Sequence, residues 1–242
     1  MTKRNNPQKT IEFVKKLTPE SFAAHLPHRP GELPDAAKWW ISRWGMYEKY
    51  FQEGDRGLEV GTAEGRNARF LLATKPKELG LVDLWNTNPD YENYKIHKPE
   101  MIDNLVERMK IKGWDTVYEG VKNYFASRPE ITLYRGYSTD VSSQFEDEAY
   151  DWVYIDAAHD YEGAMADIIA YSTKIKPDGY IAGHNYSPTE ASGVEVKEVV
   201  DLLFKEVIYV DEVSTNWIAH KRDLDIPPYM KELWRTKHQP NG

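Results

Sequence analysis

The spacing of apolar residues changes character along the chain. Over about 36–51, Trp39, Trp40, Trp44, Tyr47 and Phe51 recur at steps of 1, 4, 3 and 4, which places them on one face of a helix capped by Asp35. Upstream, Thr18-Pro19-Glu20 reads as a helix start and 28–34 as a Pro- and Gly-containing loop. After Gly54, short apolar runs bounded by turn residues predict strands at 57–61, 78–84, 131–135, 150–156, 179–183, 207–210 and 217–220. Helical spacing lies between them at 66–74, near 99–112 and 115–127, and at 161–173 and 194–205. Lys176-Pro177-Asp178-Gly179 reads as a turn into the fifth strand.

Strands alternating with helices predict a doubly wound, mostly parallel sheet. The last two strands are joined by only about six residues, too few for a helical crossover, so they are expected to pair antiparallel. The expected architecture is an α/β, Rossmann-like, seven-stranded sheet with an antiparallel C-terminal hairpin and an N-terminal helical cap. Its expected parts are 1–54 as the cap, 55–221 as the main domain with an insert at about 86–113, and 222–242 as a tail.

Composition removes several classes of function. With no cysteine among 242 residues, a disulfide framework, a thiolate nucleophile, a zinc ribbon and iron–sulfur ligation are all excluded. The net charge of −8 argues against a broad nucleic-acid surface. The start of the chain is polar, and no apolar run approaches the roughly 20 residues that span a bilayer. A cytoplasmic protein with no membrane partner is the expectation.

In doubly wound sheets ligands bind beyond the carboxyl ends of the strands, so the residues just after each strand carry the candidate chemistry. The first strand ends in Glu59-Val60-Gly61-Thr62-Ala63-Glu64-Gly65. Glycines at such a turn let backbone approach a ligand, with N–H groups of the next helix facing it, though a tight turn without a ligand reads the same way. The dinucleotide pattern G-x-G-x-x-G is absent, and Glu64 would repel a pyrophosphate, which favours a zwitterionic or cationic ligand. Asp83, at the end of the second strand, is placed to accept ribose hydroxyls. The third strand ends in Arg135-Gly136-Tyr137-Ser138, a place for a flat heterocycle, although Ser138 is equally a helix N-cap. The fourth ends in Asp156-Ala157-Ala158-His159, which offers a metal ligand and a general base. The fifth ends in Gly183-His184-Asn185, where imidazole and amide oxygen suit Mg²⁺ or another divalent ion, or merely shape the pocket.

Together these strand ends resemble the class I S-adenosylmethionine-dependent methyltransferases, over roughly 55–221. Ile155-Asp156-x-x-His159-x-Tyr161 and Lys176-Pro177-x-Gly179-Tyr180-Ile181-x-Gly183-His184 are similar to a group of small bacterial and phage O-methyltransferases. The resemblance implies S-adenosylmethionine as cofactor, held by Glu59, Gly61, Thr62 and Gly65 at its methionine end. It further implies Asp83 at the ribose, Trp85 on the adenosine, Tyr137 and Ser138 at the adenine, and Asp156 at the edge of the same site. Asp156 and His159 would be the catalytic pair, and Asp156, His184 and Asn185 the metal ligands. Related enzymes carry acidic residues where this chain has His184-Asn185, so a divalent ion, if used, would be held by a weaker set.

The activity implied is O-methylation of a small hydroxylated molecule, a sugar or a phenol. The alternatives are a nucleic-acid methyltransferase, disfavoured by the charge and by the lack of an N/D-P-P-Y/F motif, and a non-catalytic cofactor-binding protein. The aromatic face at Trp39, Trp40, Trp44 and Tyr47 reads as a packed helix interface or a homodimer contact. The N-terminal helices and the insert are expected to set substrate choice.

Overall fold

A computed structural model describes residues 34–86, 104–189 and 191–230. The expected helix start at Thr18, the loop before Pro34, residues 87–103 of the insert, and the end of the tail lie outside the described residues. No helix among the described residues is long and apolar enough to cross a membrane.

The elements in chain order are α1 (Pro34–Tyr50), β1 (Arg56–Val60), α2 (Arg66–Ala73), β2 (Glu78–Asp83), α3 (Asn104–Lys112), α4 (Trp114–Phe125), β3 (Ile131–Arg135), α5 (Ser138–Ser142), β4 (Tyr150–Ile155), α6 (Tyr161–Ser172), β5 (Ile175–Gly183), α7 (Ala191–Leu203), β6 (Tyr209–Asp211) and β7 (Asn216–His220). The strands form one seven-stranded sheet in the order β3-β2-β1-β4-β5-β7-β6. β1 to β5 are parallel, and β7 runs antiparallel between β5 and β6. The expected seven-stranded, mostly parallel sheet with an antiparallel C-terminal pair is therefore the observed one.

β1, β2 and β4 are buried over nearly their whole length, as near-continuous apolar runs covered by helices on both faces should be. β3, at the sheet edge, is only half-buried. Two apolar clusters fill the two faces. One is built on Leu58, Val153, Ile168, Ile181 and Val199. The other includes Trp44, Tyr47, Phe51, Leu71, Trp85 and Trp152.

The aromatic stripe of α1 packs into this second cluster. Phe51 stacks on Trp152 at 4.2 Å between ring centroids, Tyr47 meets Tyr154 edge-on at 5.5 Å, and Trp40 stacks on Phe70 at 4.5 Å. The face is thus engaged within the chain, with aromatic pair geometries that add to area burial.

Two local expectations are corrected. The stretch from Lys176 to Gly179 is not a free turn before the fifth strand but part of β5, which starts at Ile175. The pairing with β4 jumps from Tyr150↔Ile175 to Trp152↔Tyr180, so the Pro-Asp-Gly segment is absorbed as a bulge. Ser138 is not the cap of α5. Tyr137 holds that position without a side-chain cap, and the Ser138 hydroxyl is used elsewhere.

The chain runs outward from β1 through β2 to β3, then returns to lay β4 on the other side of β1. This reversal opens a crevice at the carboxyl ends of β1 and β4, the switch point at which such sheets bind ligands.

Candidate active site

Strand register brings the candidate residues together. Val60 pairs with Val82 and Ile155, Ile155 pairs with Gly183, and Asp83 pairs with Arg135. The next residue on each strand is then carried to one mouth, which places Gly61, Asp156 and His184 side by side.

At the turn after β1, the Gly61 and Thr62 amides both donate to the Val82 carbonyl, at 2.9 and 3.2 Å. Gly61 has φ +93°, and a Cβ on it would lie 2.0 Å from the Asp156 carbonyl oxygen. Only glycine lets the two strand-end loops touch here. Gly65 caps α2 in the left-handed conformation, at φ 72°. Glu64 does not face a ligand as a bare charge. It pairs with Lys112 at 2.6 Å, Arg108 at 3.0 Å and Arg66 at 3.2 Å, which ties α3 to the turn and holds its carboxyl below the usual range despite partial burial.

Asp83 organises the neighbouring loop. Its two carboxylate oxygens accept from the Ala63 amide at 2.8 Å and the Trp85 amide at 2.7 Å. Each oxygen keeps a further lone pair. Burial raises its pKa, against the opposing effect of those amides and Arg135. Trp85 is fully buried, packed on Tyr118, and its indole N–H donates to the Ala63 carbonyl at 2.9 Å. The structure therefore places Trp85 as a brace between the loops after β1 and β2. Tyr137 is exposed at the neighbouring strand end. The Ser138 hydroxyl donates to the buried Asp167, and its carbonyl accepts from the Tyr171 hydroxyl at 2.8 Å. Burial pushes the Asp167 carboxyl up to about 7.

The central acid is Asp156. Asp160 caps α6 by accepting from the Gly163 amide at 2.9 Å, which fixes the loop carrying His159 just ahead of the helix. His159 Nε2 and His184 Nδ1 each lie 3.3 Å from Asp156 Oδ1. Burial works against ionisation of Asp156, but His184, His159 and Arg43 outweigh it and hold the carboxyl well below the usual range. An ionised carboxylate only accepts, so both imidazoles donate to it. His159 Nδ1 is then the basic nitrogen of that ring. Burial lowers the His184 pKa, against the opposing effect of Asp156. Asn185, next in sequence, is buried in the left-handed region at φ 61°.

Arg43 escaped the sequence analysis, although a charged residue inside the Trp39–Tyr47 stripe was the available signal. It is 1% exposed. Its Nη1 donates to Asn67 Oδ1 at 3.0 Å, and its Nη2 lies 3.8 Å from Asp156 Oδ2. The same Asn67 oxygen accepts from the Tyr47 hydroxyl at 2.7 Å, while Asn67 Nδ2 donates to Glu59 Oε1 at 2.9 Å. Asn67, also missed, thus links the helix before the sheet to the acid of the glycine turn. Glu59 is fully buried, and its Oε2 has no hydrogen-bond partner.

Burial pushes the Glu59 carboxyl up to about 8. Its ordinary value is near 4.3, so between those limits the unfolded chain has lost a proton that the folded chain keeps. The stabilisation is complete below the unfolded value and declines as pH rises towards 8, by at most about 1.4 kcal/mol per pH unit. The neutral isostere Glu59→Gln lacks this decline. Its melting temperature relative to wild type is expected to rise between pH 5 and pH 8 by calorimetry, and an unchanged difference would refute the assignment.

A family model described as a methyltransferase domain matches residues 58–186, more than half of the chain. Among solved structures, the chain is similar to the O-methyltransferase NovP, with 14% identity, 89% of this chain and 99% of that one covered, and a TM-score of 0.60. It is also similar to Aeropyrum pernix fibrillarin in complex with natively bound S-adenosyl-L-methionine, at 18% identity, 73% of each chain and a TM-score of 0.46. For a spermidine synthase from Thermotoga maritima the figures are 14%, 76% of this chain and 62% of that one, and 0.45. The chain therefore spans less than two thirds of that enzyme's length. Likeness at these identities bears on the fold alone. No curated protein matches the chain.

Proposed function

The chain belongs to the methyltransferase-domain family, and from that premise we propose that it transfers a methyl group from S-adenosylmethionine to a hydroxyl of a small sugar or phenolic molecule. The observation that carries this reading is the Asp156–His159 pair at the switch point, beside the Gly61 turn. A cofactor-binding protein without chemistry has no use for a base at that position.

The residues of the crevice suit the cofactor. Oε2 of buried Glu59 is without a hydrogen-bond partner and becomes an acceptor for an ammonium group once the carboxyl gives up its proton, and Asp83 retains lone pairs for ribose hydroxyls. Tyr137 offers an exposed ring where a heterocycle would lie. When bound, S-adenosylmethionine supplies an electrophilic methyl on a sulfonium. Asp156 orients the His159 ring, and His159 Nδ1 takes the proton of the acceptor hydroxyl as its oxygen becomes the nucleophile. The crevice walls hold the acceptor close and in line, which supplies the rest of the rate gain.

The test is calorimetric titration of S-adenosylmethionine, followed by transfer of labelled methyl to a panel of hydroxylated sugars and phenols, with DNA and RNA as rival acceptors. Saturable cofactor binding and transfer to small hydroxylated molecules are expected. Transfer confined to nucleic acid, with steep salt dependence, or cofactor binding with no transfer to any acceptor, would overturn the proposal.

A further inference from the structure

Enzymes that deprotonate a hydroxyl at such a strand end often use a divalent ion, and Asp156, His184 and Asn185 are the residues that would hold one here. The donor set does not fit. Asp156 Oδ1 is shared by His159 Nε2 and His184 Nδ1, each at 3.3 Å, so both rings are already engaged on the oxygen that a metal would take. The other carboxylate oxygen faces a guanidinium. Among the described residues, no group of three or more His, Asp or Glu side chains is arranged to hold a metal ion.

We infer that Arg43 is the resident cation of this site, balancing Asp156 in place of a divalent ion and positioning the carboxylate that orients His159. Three observations support this. Arg43 lies in an aromatic cage, its guanidinium carbon 4.0 Å from the Trp39 ring centroid and 5.4 Å from those of Trp40 and Tyr154. Those faces replace water around a charge that cannot be lost by deprotonation. Next, its Nε and Nη2 are buried with no hydrogen-bond partner, so the cation is not used up by structural contacts. Finally, Trp39 also meets His184 edge-on at 5.4 Å, which fixes the imidazole that shares Asp156. The cation comes from α1, which precedes the span matched by the family model.

The inference takes the meaning of the site from the proposed methyl transfer, but its test does not require turnover. Three measurements on the full chain decide it. Titration calorimetry with MnCl₂ and MgCl₂, without cofactor, is expected to show no saturable binding into the millimolar range. Proton NMR is expected to show downfield imidazole N–H signals from His159 and His184, which disappear in Arg43→Met and persist in Arg43→Lys. S-adenosylmethionine affinity of the wild type is measured alongside. Stoichiometric metal binding by the wild type, or wild-type imidazole signals in a folded Arg43→Met, would overturn the inference. If Arg43→Met does not fold, loss of the signals in folded Arg43→Lys does the same, because a purely electrostatic role survives that exchange. Failure of the wild type to bind S-adenosylmethionine would instead count against methyl transfer, and leaves the metal titration to judge Arg43.

Discussion

Replacing His159 by alanine is expected to lower turnover by about 10²–10⁴-fold, the usual range for loss of a positioned general base, while cofactor affinity stays as in the wild type. The expectation follows from how the ring is held. Asp156 is ionised and accepts the Nε2 proton at 3.3 Å, which leaves Nδ1 as the basic nitrogen. The side chain is partly exposed at the mouth, so an acceptor can reach it, and the hydrogen bonds described for Glu59 and Asp83 run to Asn67, Ala63 and Trp85. Steady-state kinetics with the best acceptor from the panel, together with calorimetric cofactor titration, separate the two effects. Full turnover in His159→Ala would remove His159 from the mechanism. A parallel fall in cofactor affinity would make it a binding residue.

Gly61→Ala should be the most damaging small substitution in the crevice. The added methyl carbon would sit 2.0 Å from the Asp156 carbonyl oxygen and 2.7 Å from the Ala157 Cα. Both neighbours are backbone, so no side-chain rotation can relieve the clash. The backbone at φ +93° adds its own penalty for any residue with a Cβ. Overpacking of this kind costs about 1–3 kcal/mol, with roughly another 1 kcal/mol from the dihedral. At about 2–4 °C per kcal/mol for a chain of this size, the melting temperature should fall by several degrees or more. Displacing Asp156 by even about 1 Å would cost on the order of 10²-fold in turnover. Thermal unfolding and kinetics of the same preparation check both parts. A Gly61→Ala protein with wild-type melting and wild-type turnover would show that the two loops do not need to touch.

Much of this was open to inspection in the amino-acid order. The short apolar runs and the helices between them led to the sheet, and the six-residue link before Trp217 led to its antiparallel end. Parallel register did the rest, because it lines up residues that immediately follow the strands, as Gly61, Asp156 and His184 show. What stayed hidden depended on contacts that no local pattern encodes. Arg43 is 113 residues from the carboxylate it faces, and an arginine within an aromatic stripe is as compatible with a solvated edge as with a caged cation. Asn67, in the first turn of α2, joins Arg43 and Tyr47 to Glu59 through contacts that its position in the sequence does not signal. Trp85 is a further case. Its indole N–H donates to the Ala63 carbonyl, which ties the loop after β2 to the loop after β1, a role that the residue's place beside the ribose acid does not announce. The Lys176–Gly179 stretch carries turn chemistry that the sheet absorbs as a bulge.

The placement of β7 has a consequence for the order in which the molecule is made. It runs between β5 and β6, pairing Gly183 with Trp217 and Tyr180 with His220. The strand that delivers His184 to the crevice therefore keeps an open edge until residues near the end of the described chain have been synthesised. A ribosome-bound chain that stops short of Asn216 carries Asp156 and His184 but presents the backbone of β5 to any passing strand, the situation in which edge-to-edge aggregation begins. Protection of this edge from misassembly thus arrives only with one late five-residue strand, after the residues of the crevice have been made.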